Sequence, residues 1–361
     1  MFTGRRTQNR WICLPVTRIL FSSDRPPEIS PAAENVSWMF AGRSLLHQSA
    51  AAYSAGTRPK FSLAVLCYVL LEGQMPELPE VETLVRGLQA DLPGRRILSI
   101  RLGKTDFIDD PAAIEREIPG RRIESIQRFG KFILLRLVSP ADAHSTQPGD
   151  NHSCQLLVHL GMTGHLSPHP AAEPPQLHTH ACFTLDDGRE LRYTDVRRFG
   201  RMALLQEDAL GGVLGKLGLD PLEATLADFR QCFAGRRAMI KALLLNQSVL
   251  RGLGNIYADE SLWRARIHPA RHAAALSPRQ VSLLYRCIRR VLDNAIRLRG
   301  SSISDFVDAS GLPGEYQLRH RAYGREGKGC FRCGAKIRRI LVAGRSSHFC
   351  PRCQPAPRRK R

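Results

Sequence analysis

The sequence predicts an α+β, multidomain chain: an N-terminal β-sandwich headed by one helix, a helical domain, and a C-terminal cysteine ribbon. Three observations predict it. Five strand-like segments follow one another between Arg96 and Tyr193, the apolar period becomes helical from about Leu222, and the tail carries two C-x2-C pairs. At 361 residues with 43% hydrophobic content, the chain can bury more than one core, which excludes a disordered chain.

Residues 1–74 mix Arg, Ser, Pro and Ala without a sustained period, a capped helix or a hairpin. Their longest apolar run, Phe61 to Leu71, has eleven residues. A bilayer span needs roughly 20, so no transmembrane segment is predicted. The run lies far from the terminus and no small-residue cleavage site follows it, which argues against a signal peptide.

The texture changes after Met75. Pro79 suits the first turn of a helix, and Val81, Leu84, Val85 and Leu88 recur at i, i+3, i+4 and i+7 until Pro93 and Gly94 stop it. Strand-like segments follow: RILSIRL, RRIESIQRF, KFILLRLV, QLLVHLGM and HACFTLDDGRELRY. In the last, Asp187-Gly188 is a hairpin signal and Ala181, Phe183 and Leu185 alternate with polar neighbours. Farther on, Ser277 is the N-cap of a helix with Pro278 at its first position and Gln280 completing a capping box. Leu284, Ile288, Val291, Leu292 and Ile296 form its stripe, and Gly300 ends it.

A net charge of +20 and a pI near 10.2 point to a polyanionic partner. From Gln317 to the end, fourteen Lys or Arg face the single acid Glu326. No long basic amphipathic face accompanies that charge, so nucleic acid is preferred to a membrane surface. Six cysteines (Cys13, Cys67, Cys154, Cys182, Cys232, Cys287) stand singly in apolar contexts, which reads as a reducing cytosol.

The tail CFRCGAKIRRILVAGRSSHFCPRC sets Cys330 and Cys333 sixteen residues from Cys350 and Cys353. Each pair can aim two thiolates at one metal, and the spacer suits a hairpin that brings the pairs together, so one structural zinc ion is expected and no organic cofactor. Arg338, Arg339 and Arg345 would ride on that rigid finger. Upstream, LRGLGNIYADESLW places Gly252, Gly254 and Asn255 before an amphipathic helix carrying Ile256, Tyr257, Leu262 and Trp263. Bare amides there would suit an anion, although a glycine-rich connector reads the same way.

MPELPEVETLVRGL, FGKFILL, HLGMTG, RYTDVRRFG, GLGNIYADE and the four-cysteine finger, in that order, closely resemble bacterial formamidopyrimidine-DNA glycosylase over essentially Met75 to Gln354. The resemblance implies a base-excision repair enzyme that removes oxidised purines (8-oxoguanine, formamidopyrimidines) and then cuts the strand by β,δ-elimination. It implies a helix-two-turn-helix domain over 222–310, after a catalytic domain over 75–215, and a zinc finger over 324–354 with a basic tail over 355–361. Residues 1–74 would be an extension outside the functional enzyme, since in this family the initiator methionine is removed and the exposed proline, here Pro76, is the nucleophile. An acylated proline nitrogen is an amide whose lone pair is delocalised, and it could not react in this way. LEGQ, Leu71 to Gln74, would be encoded where a bacterial ribosome-binding site belongs.

By the same resemblance Glu77 protonates the opening sugar, Lys131 contacts the phosphate and base side of the lesion and donates a proton in elimination, and Arg345 serves the final elimination step, although both could equally be phosphate clamps; Glu80 is supportive. Met162, Arg197 and Phe199 would enter the helix in place of the extruded base, whose removal from the stack the chemistry requires. His178, Arg197, Arg198, Arg236, Lys241 and Asn255 would contact DNA, and part of Asp308 to Gln317 would line the lesion pocket. Arg236 stands where relatives commonly have lysine, and Val196 where they commonly have proline. The expected partner is double-stranded DNA bound by a monomer in a bacterial cytoplasm, nucleoid-associated, with no membrane. The alternatives are an endonuclease VIII-like enzyme for oxidised pyrimidines, which Leu78 and RRFG disfavour, and a non-catalytic zinc-finger binder should the extension be retained.

Overall fold

The computed structural model describes residues 76–139, 153–303 and 306–357. The extension and the last four basic residues lie outside them. Helix α1 (Leu78–Asp91) opens the described chain, with Pro79 in its first turn, and the chain turns away at Gly94, whose φ is 90°. Strands β1 (Ile97–Leu102) and β2 (Arg122–Phe129) flank a short α2 (Pro111–Glu117), and β3 (Phe132–Val138), β4 (Cys154–His159), β5 (Gly164–Pro170), β6 (Thr179–Leu185), β7 (Arg189–Asp195) and β8 (Arg201–Gln206) follow.

They form two antiparallel four-stranded sheets, ordered β1-β6-β7-β5 and β2-β3-β4-β8. One core joins them: Ile126, Ile133, Leu135, Leu156 and Val158 of the second sheet meet Phe183, Leu191 and Tyr193 of the first, and α1 contributes Val81, Leu84 and Leu88. Strand β4 is buried along its whole length because its other face, with Phe132, Leu134 and Leu205, is covered by Val213 and Leu214 of α3 (Glu207–Leu214). The sandwich expectation therefore holds.

Four elements differ from the sequence reading. β5 was not expected because GHLSPHP contains a glycine and two prolines; it is an edge strand, where prolines cost no central ladder bond. β8, also an edge, is six residues without alternation, and α2 and α3 are short. The segment QLLVHLGM ends its strand at His159, leaving Met162 in a turn.

The helical part contains α4 (Leu226–Phe233), α5 (Ile240–Leu245), α6 (Asn255–Ala265) and α7 (Pro278–Arg297) around a second core. The Ser277 and Gln280 capping box opens α7 as expected, and Thr225 with Asp228 forms an unanticipated one on α4. Leu78 of α1 belongs to this second core, so the first described turn spans both halves of the molecule. The tail folds into the hairpin β9 (Arg338–Val342) and β10 (Arg345–Phe349). No helix among the described residues is long and apolar enough to cross a membrane.

Candidate nucleic-acid interface and reaction centre

Glu77 is the N-cap of α1, and its amide donates to the Glu80 carboxylate at 2.9 Å, closing a capping box. The Glu77 carboxylate also reaches outside α1. It accepts the N–H of Ile256 at 2.9 Å and of Tyr257 at 3.4 Å, across about half of the chain, and so occupies the N-terminus of α6. The amide-rich end read as an anion site holds the protein's own carboxylate, an arrangement that contributes about 1–2 kcal/mol when partly buried. Gly254 is required by this contact, because a Cβ there would lie 2.3 Å from the Glu77 carboxyl carbon.

A second close approach brings in Lys131. Gly130 and Lys131 form the two-residue turn between β2 and β3, with Gly130 at φ 63°. A Cβ on Gly252 would meet Leu78 Cβ at 2.9 Å and the Gly130 carbonyl at 3.2 Å, and Leu78 donates to the Gly252 carbonyl at 2.9 Å. One glycine thus separates the first turn of α1 from the lysine turn. Lys131 is buried, unlike an ordinary solvated edge lysine. Arg128 fixes the turn by reaching Glu82 at 2.7 Å and Asp220 at 2.8 Å, while Arg251 stacks on Phe129.

Beneath Glu77, Glu80 accepts from Ser301 N–H and from the Tyr257 hydroxyl, and Ser301 Oγ meets His320 Nε2 at 3.1 Å. Burial pushes the Glu80 carboxyl above its usual range, against those hydrogen bonds. Burial likewise holds His320 neutral, with its pKa lowered to about 4.

The finger docks beside this corner. Lys241 forms a 2.6 Å ion pair with Asp259 and donates to the Ser346 carbonyl, while Asp259 accepts the His348 amide at 2.7 Å. The Lys241–Ser346 and His348–Asp259 bonds tie β10 to the helix whose N-terminus holds the Glu77 carboxylate, which places finger and first turn together. The side chain of Lys241, expected to contact DNA, is fully buried in this structure and fastens β10 to α6. Asn255 Nδ2 reaches Ser346 Oγ at 3.4 Å, and its buried Oδ1 has no hydrogen-bond partner.

The four cysteine sulfurs lie within 4.8 Å of one another. Arg332 and Cys353 amides and the Trp263 indole N–H point at Cys330 or Cys350 sulfur, as thiolates require. Four soft donors closed against Trp263, Ala322 and Ile337 fit a structural zinc.

The insertion trio gathers on two loops of the sandwich. A Cβ on Gly161 would fall 2.2 Å from the Phe199 carbonyl carbon, so the Met162 turn and the RRFG loop touch backbone to backbone. Asp195, fully buried, organises them: its carboxylate accepts from Thr163 Oγ1, the amides of Arg197 and Gly200, and the Tyr193 hydroxyl. Arg197 lies 4.6 Å over the Phe199 ring, and both side chains are exposed. Arg198, at φ 53°, pairs with Asp106 at 2.9 Å, and the His178 carbonyl accepts the Asp195 amide at 3.1 Å.

Arg236 stands apart, exposed between α4 and α5. The segment at Asp308 is tied by that carboxylate to Ser310 and Leu312 and packs on α1, where a Cβ on Gly87 would meet Ala309 Cβ at 2.7 Å. Sequence reasoning assigned nothing to Asp195, Tyr257, Asp259 or Arg128. Only their place inside the quoted motifs, or beside them, signalled a role.

Residues 75–202 match the formamidopyrimidine-DNA glycosylase N-terminal domain, 217–307 the H2TH domain of the same enzymes, and 327–356 the zinc finger found in FPG and IleRS. The formamidopyrimidine-DNA glycosylases of Heliobacterium modesticaldum and Herpetosiphon aurantiacus are 46% and 44% identical over 78% of this chain and 100% of their own length. Among solved structures, the MutM (FPG) protein of Thermus thermophilus is 38% identical with a TM-score of 0.66, and Lactococcus lactis FPG bound to FAPY-dG-containing DNA is 34% identical with a TM-score of 0.68. Each match covers 78% of this chain and 100% of the other.

Proposed function

Because the chain belongs to the formamidopyrimidine-DNA glycosylase family, we propose that it excises oxidised purines from duplex DNA in the cytoplasm, as a monomer, and then cuts the strand. Pro76, freed of everything before it, is the nucleophile. Its secondary amine, with a pKa of roughly 8, keeps a usable neutral fraction at cellular pH. The nitrogen attacks C1′ of the lesion sugar, the C1′–base bond breaks, and the base leaves with a proton. Opening of the ring, with Glu77 delivering a proton to the ring oxygen, gives an iminium on Pro76.

That cation draws electrons from the C2′–H bond. Loss of the C2′ proton expels the 3′ phosphate, and a second elimination expels the 5′ phosphate, with Lys131 and Arg345 stabilising the departing groups or supplying protons. Met162, Arg197 and Phe199 fill the gap left by the extruded nucleotide. Cys330, Cys333, Cys350 and Cys353 would hold a zinc ion whose role would be to keep the finger rigid.

The observation that carries this reading is the Glu77 carboxylate, next to Pro76, pinned by the α6 amides at the point where the Lys131 turn and the finger converge. Borohydride trapping on an 8-oxoguanine duplex, with N-terminal sequencing of the adduct, tests it. A covalent adduct beginning at Pro76 is expected. Binding without an adduct, or an active protein that retains its upstream residues, overturns it.

A further inference from the structure

A second basic surface lies away from the reaction corner, along α7, which corrects the expectation that no long basic amphipathic face is present. Arg279, Arg286, Arg290 and Arg297 recur at spacings of seven, four and seven along α7, which puts them on one stripe, opposite the buried Leu284, Ile288, Val291 and Leu292. At the C-terminal end of α7 the stripe runs into a cleft of about 370 Å³ lined by Arg264, Asn294, Arg297, Tyr316, Arg319 and Arg321. Arg264 is nine residues beyond Asn255 on α6, so the cleft opens about 13 Å along that helix from the Glu77 corner.

Charge here is uncompensated. None of these arginines forms an ion pair among the described residues, and Asp293 is the one acid on the stripe. Glu260, close to Tyr316, already accepts the amides of Arg321, Ala322 and Tyr323. The Tyr316 hydroxyl, buried beside the Arg264 guanidinium, makes no hydrogen bond of ordinary geometry, and neither does Arg264 Nε.

Helix C-termini favour cations, which accounts for Arg264 and Arg297. It does not account for Arg319 and Arg321, or for Arg286 and Arg290, which repel each other at i,i+4. We propose that this face binds the phosphate backbone of a second duplex segment while the Glu77 corner holds the first, which rests on the function proposed above. Arg286 to Arg297 spans about 16 Å of helix, a length over which one DNA strand presents about five phosphates. The cleft at its end accepts one phosphate between the converging guanidiniums and the Tyr316 hydroxyl.

The test uses the full chain saturated with an unlabelled duplex containing a non-cleavable abasic analogue, titrated with a labelled undamaged duplex and followed by anisotropy. Capture of the second duplex is expected. R286E/R290E/R297E should weaken it at least tenfold, and the neutral R286Q/R290Q/R297Q should lower the salt slope of its affinity by about 3, at roughly 0.9 per phosphate contact. Single-turnover excision and melting temperature should stay as in the parent protein.

Failure to capture a second duplex, or equal capture by both variants, overturns the proposal. Competition by inorganic phosphate at matched ionic strength without duplex capture also overturns it, leaving only a small-anion cleft. Failure of the excision reading shows separately, as absence of the borohydride-trapped adduct with the parent protein, and plain-duplex binding by parent and variants still decides the question of the second face.

Discussion

Glu77 and Asp195 are both buried carboxylates that accept backbone N–H groups, but they work at opposite ends of the site. Glu77 takes its amides from a helix far away in sequence, and glycine backbone closes around it, so the reacting corner is assembled from both halves of the molecule. Asp195 takes its donors from residues within about thirty positions and holds a loop whose working side chains remain exposed. The difference teaches how rigidity is allotted. At Glu77, the proton donor under the proposed mechanism, the functional group itself is immobilised; at the Asp195 loop, proposed to enter the helix, only the backbone is fixed and Arg197 and Phe199 are exposed.

The largest effect expected from breaking this arrangement is at Glu77. Glu77→Gln keeps the size and one acceptor for the α6 amides but removes the transferable proton. Excision should fall by about 10²–10⁴-fold in single-turnover assays, with lesion-duplex affinity changed little. An equal loss of affinity would mean that the carboxylate mainly holds the two halves together.

Next is the pair that fastens the finger beside the corner. Lys241→Met strands Asp259 without its cation, and a cost of about 3–5 kcal/mol is expected, read as lower melting temperature and weaker zinc retention. Changing both, Lys241→Met with Asp259→Leu, should restore part of that stability, the remainder being about 1–3 kcal/mol for the buried His348 amide left without its acceptor. The exposed Arg198–Asp106 pair at the loops should give less than about 1 kcal/mol under the same treatment.

Acidification tests both regions at once. His159 in the sandwich is pushed down to about 3 by burial, then by Lys131 and Arg201, and His320 beneath the corner is pushed down to about 4 by burial. Both pKa values are depressed, so the unfolded chain takes up protons that the fold refuses. The stabilisation from the neutral rings is complete above about pH 6.5 and is lost as pH falls toward 4, at up to about 1.4 kcal/mol per pH unit for each ring. Denaturant midpoints should be flat from pH 8 to 7 and decline below 6.5. His159→Gln or His320→Gln should flatten the decline; an unchanged profile would assign the loss to other groups.

Much of this was readable in the chain. The cysteine spacing and the α7 capping box depend on neighbours within a few residues, and both were found where expected. In β6 the expected inward set Ala181, Phe183 and Leu185 is buried, but His180 and Cys182 between them are buried too, so the strand does not alternate. β5 was hidden because its prolines are tolerated only by its edge position, which is a property of the sheet. Glu77 was identified with a role but not with its partner, since no period links a carboxylate to amides half a chain away. Gly254 was the available signal, a residue without a side chain where one would collide. Lys241 was expected to contact DNA and nothing was assigned to Asp259, because their mutual burial is visible only once β10 covers α6.

The smallest effect is expected at the loop tip. Phe199 is 41% exposed and carries the Arg197 guanidinium over its ring. Phe199→Ala should leave melting unchanged within about 0.5 kcal/mol, because an exposed ring contributes little to the fold. Unstacking a base step costs a few kcal/mol, and a wedge that offsets part of it should matter by about 1 kcal/mol, roughly fivefold in excision from an intact duplex. On a duplex that already contains an abasic site there is no base to displace, and strand cutting by the variant should match the parent. An equal deficit on both substrates would move Phe199 from wedge to scaffold, and with it the contrast between an immobilised corner and a free-tipped loop.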